Sequence, residues 1–229
     1  AYDLVNRYFG VLENRPLMNN NSSLRTRSSA EIPAEPRQTA PRRMEVEREV
    51  PVSVIYIAFH MGDRLSRDYN VCDTISDILS NGGSARMQQR LVKELRLFSN
   101  VNAYISGDVH PGSFTIMGYL MEGVSFETAE KALWEELDRF KNETVSDYEL
   151  EKVKNKFEAN TVFGELNVMN KAMNLCYYEM LGDVGLINRE LDNYRSVTKE
   201  EIEETARRIF VPDNSSTLIY RKRDGNKKV

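Results

Sequence analysis

Val54-Ile55-Tyr56-Ile57-Ala58-Phe59 is the longest uninterrupted apolar run in this 229-residue chain. β-branched and aromatic residues packed this densely, ending at His60, predict a strand at the centre of a sheet, covered on both faces. The run is far short of the ~20 residues that a membrane-spanning helix needs, so no membrane segment is expected. Just upstream, Met44 and Val46 alternate with Glu45 and Glu47, the period of a second strand over Met44–Glu49. Downstream, Val71, Cys72, Ile75, Ile78 and Leu79 repeat every 3.6 residues, which predicts a helix from Ser66 to Leu79 that stops at Asn81-Gly82-Gly83. Ser84 is then placed to cap a following helix carrying Met87, Leu91 and Leu95 on one face.

Further along, Val101, Ala103 and Ile105 alternate with polar neighbours, and after a turn at Gly107 to Gly112 come Phe114, Ile116 and Leu120. This pattern predicts an antiparallel hairpin. Ser146-Asp147-Tyr148-Glu149 and Thr198-Lys199-Glu200-Glu201 match the capping box and mark helix starts. Between them Met169, Met173, Cys176, Tyr177 and Met180 form a stripe at helical spacing that reads as core filling. A last strand is expected over Ser216–Tyr220. Strands and helices come in clusters rather than in strict alternation. The fold class predicted is α+β, a mainly antiparallel β-sheet covered by helices.

The composition, 41% hydrophobic and 29% charged, fits a globular chain. Its formal net charge of −4 has the wrong sign for collecting phosphates, so nucleic acid is not an expected partner. Charge is spread unevenly. Residues 14–43 hold four of the seven prolines, six arginines and two acids, a net +4 that leaves −8 on the rest. That is linker composition. Ahead of it, Leu4, Val5, Tyr8 and Phe9 at helical spacing, followed by Gly10, predict the closing helix of a preceding unit over residues 1–13. The organisation expected is therefore helix 1–13, linker 14–43, a domain over 44–222 and a charged tail 223–229. A chain that opens Ala1-Tyr2-Asp3 reads as a piece of something longer, and its N-terminus does not give a compartment.

Catalytic chemistry is sparse. His60 and His110 lie 50 residues apart, and neither has a second histidine or an acid at metal-ligand spacing, so no metal site is expected in this chain. Cys72 and Cys176, too few for a disulfide framework, read as buried thiols. Gly-x-Ser-x-Gly, Walker and Gly-x-Gly-x-x-Gly patterns are missing. The acid pairs Glu135-Glu136 and Glu200-Glu201 read as solvated helix surface. What remains is Asn81-Gly82-Gly83-Ser84. Glycines there let a bound peptide approach the backbone, and unpaired N–H groups at a helix start can receive a carbonyl or carboxylate.

In order and spacing, several segments resemble the C-terminal half of an insulinase/pitrilysin-type zinc peptidase, the family that includes the mitochondrial processing peptidase. They are Tyr8-Phe9-Gly10 before a proline-rich linker, Ile55 to His60 with Asp68-Tyr69, Ile78 to Met87 around the glycine loop, and Val197 to Pro212. The resemblance covers about residues 1–222. It implies a metal-free domain that closes over a catalytic half to enclose a peptide substrate. Zinc, held by an inverted H-x-x-E-H motif, would sit in that missing half, on the same polypeptide or on a separate partner subunit. Within this chain the resemblance implies no catalytic residue and a substrate-lining role for Asn81, Gly82, Gly83 and Ser84.

Active members often carry L-R-E-x-x-G-L-A-Y after the glycine loop, whose arginine and tyrosine help to hold the substrate. Aligned without gaps, Val92 and Ser99 take those two places. A shifted register offers Arg96 and Tyr104 instead, eight apart rather than seven, as further substrate-binding candidates. Strand alternation sets Tyr104 on the opposite face from Ser99, which favours the gapless register.

Overall fold

The computed structural model describes residues 2–12, 35–107 and 109–223. The expected linker between 14 and 34, and the tail from 224 on, lie outside the described residues. The chain divides into two compact units, Ala1–Pro36 and Arg37–Val229. In the first, α1 (Tyr2–Phe9) forms where the apolar spacing predicts a helix, and none of its side chains is buried.

The second unit is built on one five-stranded sheet. Its strands are β1 (Arg42–Arg48), β2 (Val54–His60), β3 (Phe98–Ile105), β4 (Ser113–Leu120) and β5 (Ser215–Lys222), in the order β1-β5-β2-β4-β3. The β5–β2, β2–β4 and β4–β3 pairs are antiparallel, and β1 runs parallel to β5. The Val54–Phe59 run occupies the central strand. The proline-rich tract gives way to the sheet earlier than its composition suggests. Gln38 is buried and donates to the Ala40 and Ser215 carbonyls, and β1 starts at Arg42.

The helices are α2 (Arg67–Ser80), α3 (Phe126–Asn142), α4 (Asp147–Gly164), α5 (Val168–Met180), α6 (Leu186–Arg195) and α7 (Lys199–Ile209). The capping boxes at Ser146 and Thr198 form as the sequence predicts. Ile55, Ile57 and Phe59 of β2, Phe114 and Ile116 of β4, and Val101 of β3 pack with α2, α3 and α7 in one core. Phe210 meets Phe59 and Phe114 edge-on, with ring centroids 5.2 and 5.0 Å apart, so the end of α7 is fastened to the middle of the sheet.

Four expectations need correction. β2 is central but not covered on both faces: Tyr56, Ala58 and His60 are only half-buried, because the alternate positions of the run face away from the helices. The helix after the glycine loop is a π-helix over Gln88–Glu94, closed by Leu95 N–H on the Arg90 carbonyl at 2.8 Å. Its wider turn keeps Met87 and Leu91 in the core but carries Leu95 out, to 42% exposure. On α5, Met169, Met173 and Met180 are exposed, as are Cys176 and Tyr177, because this helix packs on its neighbours mainly through Tyr178. Glu136 is not surface: it is buried, and burial raises its pKa despite Arg139 and Arg90 beside it.

Candidate functional site

α2 ends where Asn81 N–H donates to the Asp77 carbonyl at 3.0 Å, and the Asn81 amide reaches the Asp77 carboxylate as well. Gly82 then turns the chain at φ +95°, in the left-handed region where only glycine is unstrained. A side chain built on Gly82 would meet nothing within 4 Å, and one on Gly83 only Lys93 Nζ at 3.8 Å. Asn81, Gly82, Gly83 and Ser84 are all exposed. Among the described residues the N–H groups of Gly82, Gly83 and Ser84 make no hydrogen bond, so the loop presents open backbone donors.

The back of the loop is held firmly. Gln89 Nε2 and Lys93 Nζ, both on the π-helix, donate to the Gly83 carbonyl at 2.5 and 2.6 Å. Lys152 of α4 donates to Ser84 Oγ at 3.1 Å, and the helix that follows has Met87 at its N-cap with no side-chain cap, so Ser84 does not cap it as expected. Gln89 and Lys93, four residues apart, lie on one face of their helix and meet on the same carbonyl.

Beside the loop lies a pocket of about 350 Å³ that the sequence reading did not find, lined by Ser84 and by arginines and glutamates. Glu136 at its base bridges Arg90 Nε at 3.4 Å and Arg139 Nη1 at 3.2 Å. Arg86 forms a two-point pair with Glu149, yet its Nη1 is buried without a hydrogen bond, and the nearest acid oxygen, on Glu143, is 3.9 Å away. A buried donor left unpaired costs about 1–3 kcal/mol, and here the Arg86 guanidinium also lies over the Phe140 ring, 5.2 Å from its centroid. Glu136 and Arg139 are a local i, i+3 pair of α3, but the bonds from Arg86 to Glu149 and from Arg90 to Glu136 join separate segments that no local spacing signals.

Arg96 and Tyr104 are not brought together. Arg96 precedes β3, and Tyr104 lies six residues beyond Phe98 along it, ~20 Å away at strand rise. Tyr104 is 40% exposed on the outer strand of the sheet. A β-bulge between Phe98 and Asn100 interrupts the alternation, so Ser99 and Asn100 are both exposed and counting by twos does not separate Ser99 from Tyr104. The backbone offers a better guide. Arg96 has φ +53°, and it is the residue that the gapless alignment sets against the glycine of L-R-E-x-x-G-L-A-Y. That match favours the gapless register, in which Arg96 occupies a glycine's place rather than an arginine's. Val92, in the arginine's place, is half-buried against the core.

The sheet face away from the helices carries Tyr56 opposite Met117 and Leu218, with Tyr119 and Tyr220 one row along. Partial burial, then the nearby Tyr119, Tyr104 and Tyr220, raise the Tyr56 pKa. Among the described residues no group of three or more His, Cys, Asp or Glu side chains is arranged to hold a metal. His60 and His110 lack converging ligands, so the donor set here does not fit zinc.

The fold class is α+β, a five-stranded, mainly antiparallel sheet packed against helices. A family model of the peptidase M16 inactive domain matches residues 1–157, and the chain belongs to that family. Its fold is that of a protease from Helicobacter pylori, with TM-score 0.84 and 18% identity over 96% of this chain and 51% of that one. The inactive peptidase domain of a provisionally named zinc protease from Bordetella parapertussis matches with TM-score 0.72 and 20% identity, over 80% of this chain and 98% of that one. A peptidase M16 inactive domain from Pseudomonas fluorescens gives TM-score 0.65 and 14% identity over 83% and 45%. The chain thus spans about half the length of the Helicobacter pylori protease. No curated protein sequence matches it.

Proposed function

We propose that this chain is the substrate-enclosing, non-catalytic half of a zinc-dependent peptidase, with Asn81, Gly82, Gly83 and Ser84 lining the peptide chamber. The observation that carries the reading is the exposed glycine loop, whose N–H groups at Gly82, Gly83 and Ser84 are unpaired among the described residues while the Gly83 carbonyl is held by Gln89 and Lys93. A loop held in this way can take a peptide's carbonyls along its backbone without first being ordered, which lowers the entropic cost of binding. Arg96 and Tyr104 would belong to this site only in the shifted register. Zinc and the catalytic glutamate are assigned to the other half, on the same polypeptide or on a partner subunit, and the bond-breaking step is theirs.

Purification of the protein from its own cells, without denaturant, tests the reading. An H-x-x-E-H segment should be recovered at one to one, either upstream in the same chain or in a second subunit, and peptide cleavage should follow that segment. The isolated 229-residue chain, stripped with chelator and reloaded, should hold no stoichiometric zinc and cleave no peptide. One tightly held zinc per chain with turnover would overturn the proposal.

A further inference from the structure

On the helical side, away from the glycine loop, α2, α4, α5 and α6 enclose a pocket of about 470 Å³ whose floor is polar and whose walls are aromatic. Arg64, in the loop before α2, lies there with its charge fully engaged. It meets Glu190 at 2.6 Å, donates to Tyr178 Oη at 3.3 Å, and stacks over the Tyr69 ring with its guanidinium carbon 4.4 Å from the centroid. Asp73, one turn of α2 further on, has no such counterion. Among the described residues its carboxylate is engaged only by the Tyr194 hydroxyl and forms no ion pair. The pocket is therefore lined by three carboxylates, Asp73, Glu165 and Glu190, and by one cation, Arg64, which is paired to Glu190 and also attracts Asp73 at a distance.

The walls suit a second cation. Tyr69, Tyr177 and Tyr178 line the space, and Phe157 stacks on Tyr194 with centroids 3.5 Å apart, closing the side behind Asp73. Asn160 and Asn174 are exposed at the pocket's edge, and their amide oxygens can accept from N–H donors. Aromatic faces around a carboxylate that forms no ion pair recognise organic cations by combined ion pairing and cation–π attraction. From this juxtaposition we infer that the pocket is a binding site for a small organic cation, a protonated amine or guanidinium, seated on Asp73 between the tyrosines. Burial already raises the Asp73 pKa against the pull of the Tyr194 hydrogen bond, so an arriving positive charge relieves an existing cost. The pocket shares no residue with the glycine loop, and the inference stands whether or not the chain encloses peptides.

Calorimetric titration of the full chain with agmatine, and separately with a short blocked peptide carrying one arginine, tests the site and distinguishes a free amine from a peptide side chain. One or both should saturate at one per chain. Asp73→Asn keeps a partner for the Tyr194 hydroxyl but removes the charge, and should weaken binding about tenfold. Tyr177→Ala, at an exposed wall position, should weaken it less while leaving the melting temperature unchanged. Saturation by neither probe at millimolar concentration would overturn the inference. So would equal binding by folded Asp73→Asn, or equally tight binding of an uncharged analogue of agmatine.

Discussion

Arg86 and Glu149 hold each other through two hydrogen bonds, Nε to Oε1 at 2.8 Å and Nη2 to Oε2 at 3.0 Å. The same carboxylate accepts from the Ser146 N–H at 3.0 Å and completes the capping box of α4. One side chain thus starts a helix and ties it to the segment that follows the glycine loop. The Arg86 bond above all, with the Ser146 bonds behind it, holds the Glu149 pKa at about 2 against an ordinary 4.5, while partial burial opposes the shift. A carboxylate depressed in the folded state stabilises the fold above its unfolded pKa, and that contribution fades as the pH falls from 4.5 towards 2. Glu149→Gln preserves the capping box but loses the ion pair, and should cost about 1 kcal/mol at pH 7. Urea melts should show this gap closing at pH 3; a gap unchanged by pH would contradict the assignment.

The two glycines of the loop should respond differently. Gly82 has positive φ and open surroundings, so Gly82→Ala carries backbone strain alone, about 1 kcal/mol. Gly83 has neither positive φ nor a tight neighbour, so Gly83→Val should leave the melting temperature within the error of measurement. In the complete enzyme the same substitution places two methyl groups where a peptide backbone would pass, and turnover should fall. Unchanged turnover per folded molecule would leave the loop a structural turn only.

Cys72 is buried, and burial raises its thiol pKa far above the ordinary value, whereas Cys176 is exposed on α5. Ellman titration of native protein should count one thiol per chain promptly and the second only after denaturation. Two prompt thiols would mean that α2 opens readily; none would mean that something covers α5.

Leu91→Ala in the π-helix should cost about 2–5 kcal/mol, since Leu91 is fully buried in the main core. Met169→Ala on α5, 67% exposed, should change stability by less than about 0.5 kcal/mol. Equilibrium unfolding separates the two, and similar losses would place α5 against a covered surface.

That contrast marks what was legible in the sequence. An unbroken apolar run located β2, a period of two the β3–β4 hairpin and a period of 3.6 α2, because each buries side chains against one core. Met169 and Met173 repeat just as regularly, yet a stripe records only that a helix is amphipathic, not that a neighbour covers it. The π-helix was invisible for a related reason: Met87 and Leu91 fit a normal turn, and only Leu95 reveals the wider one. The parallel pairing of β1 with β5 joins residues more than 170 positions apart, such as Met44 and Leu218, which no local pattern encodes. At the candidate site, Gly82 and Gly83 were legible as glycines at a helix end. The ties from Gln89, Lys93 and Lys152, and the Arg86 to Glu149 pair, come from residues that the sequence presents as ordinary charged helix surface.

Arg96 provides the most decisive single test. It is the one described residue other than glycine with positive φ, at +53°, and its exposed side chain makes no hydrogen bond among the described residues. The left-handed region costs a residue with a Cβ about 1–2 kcal/mol, while glycine loses about 0.5–1 kcal/mol of extra chain entropy on folding. Arg96→Gly should therefore stabilise the chain by up to about 1 kcal/mol, a rise of about 2–4 °C in melting temperature for a domain of this size. The two alignments then make opposite predictions for activity. If Arg96 stands in the place of the motif's glycine, turnover by the complete enzyme should be unchanged in the more stable variant. If Arg96 is instead the family's substrate-holding arginine in a shifted register, the same variant should be more stable and markedly less active. Melting and turnover measured on one preparation decide between the registers, and a fall in melting temperature would remove the backbone reason for preferring the gapless one.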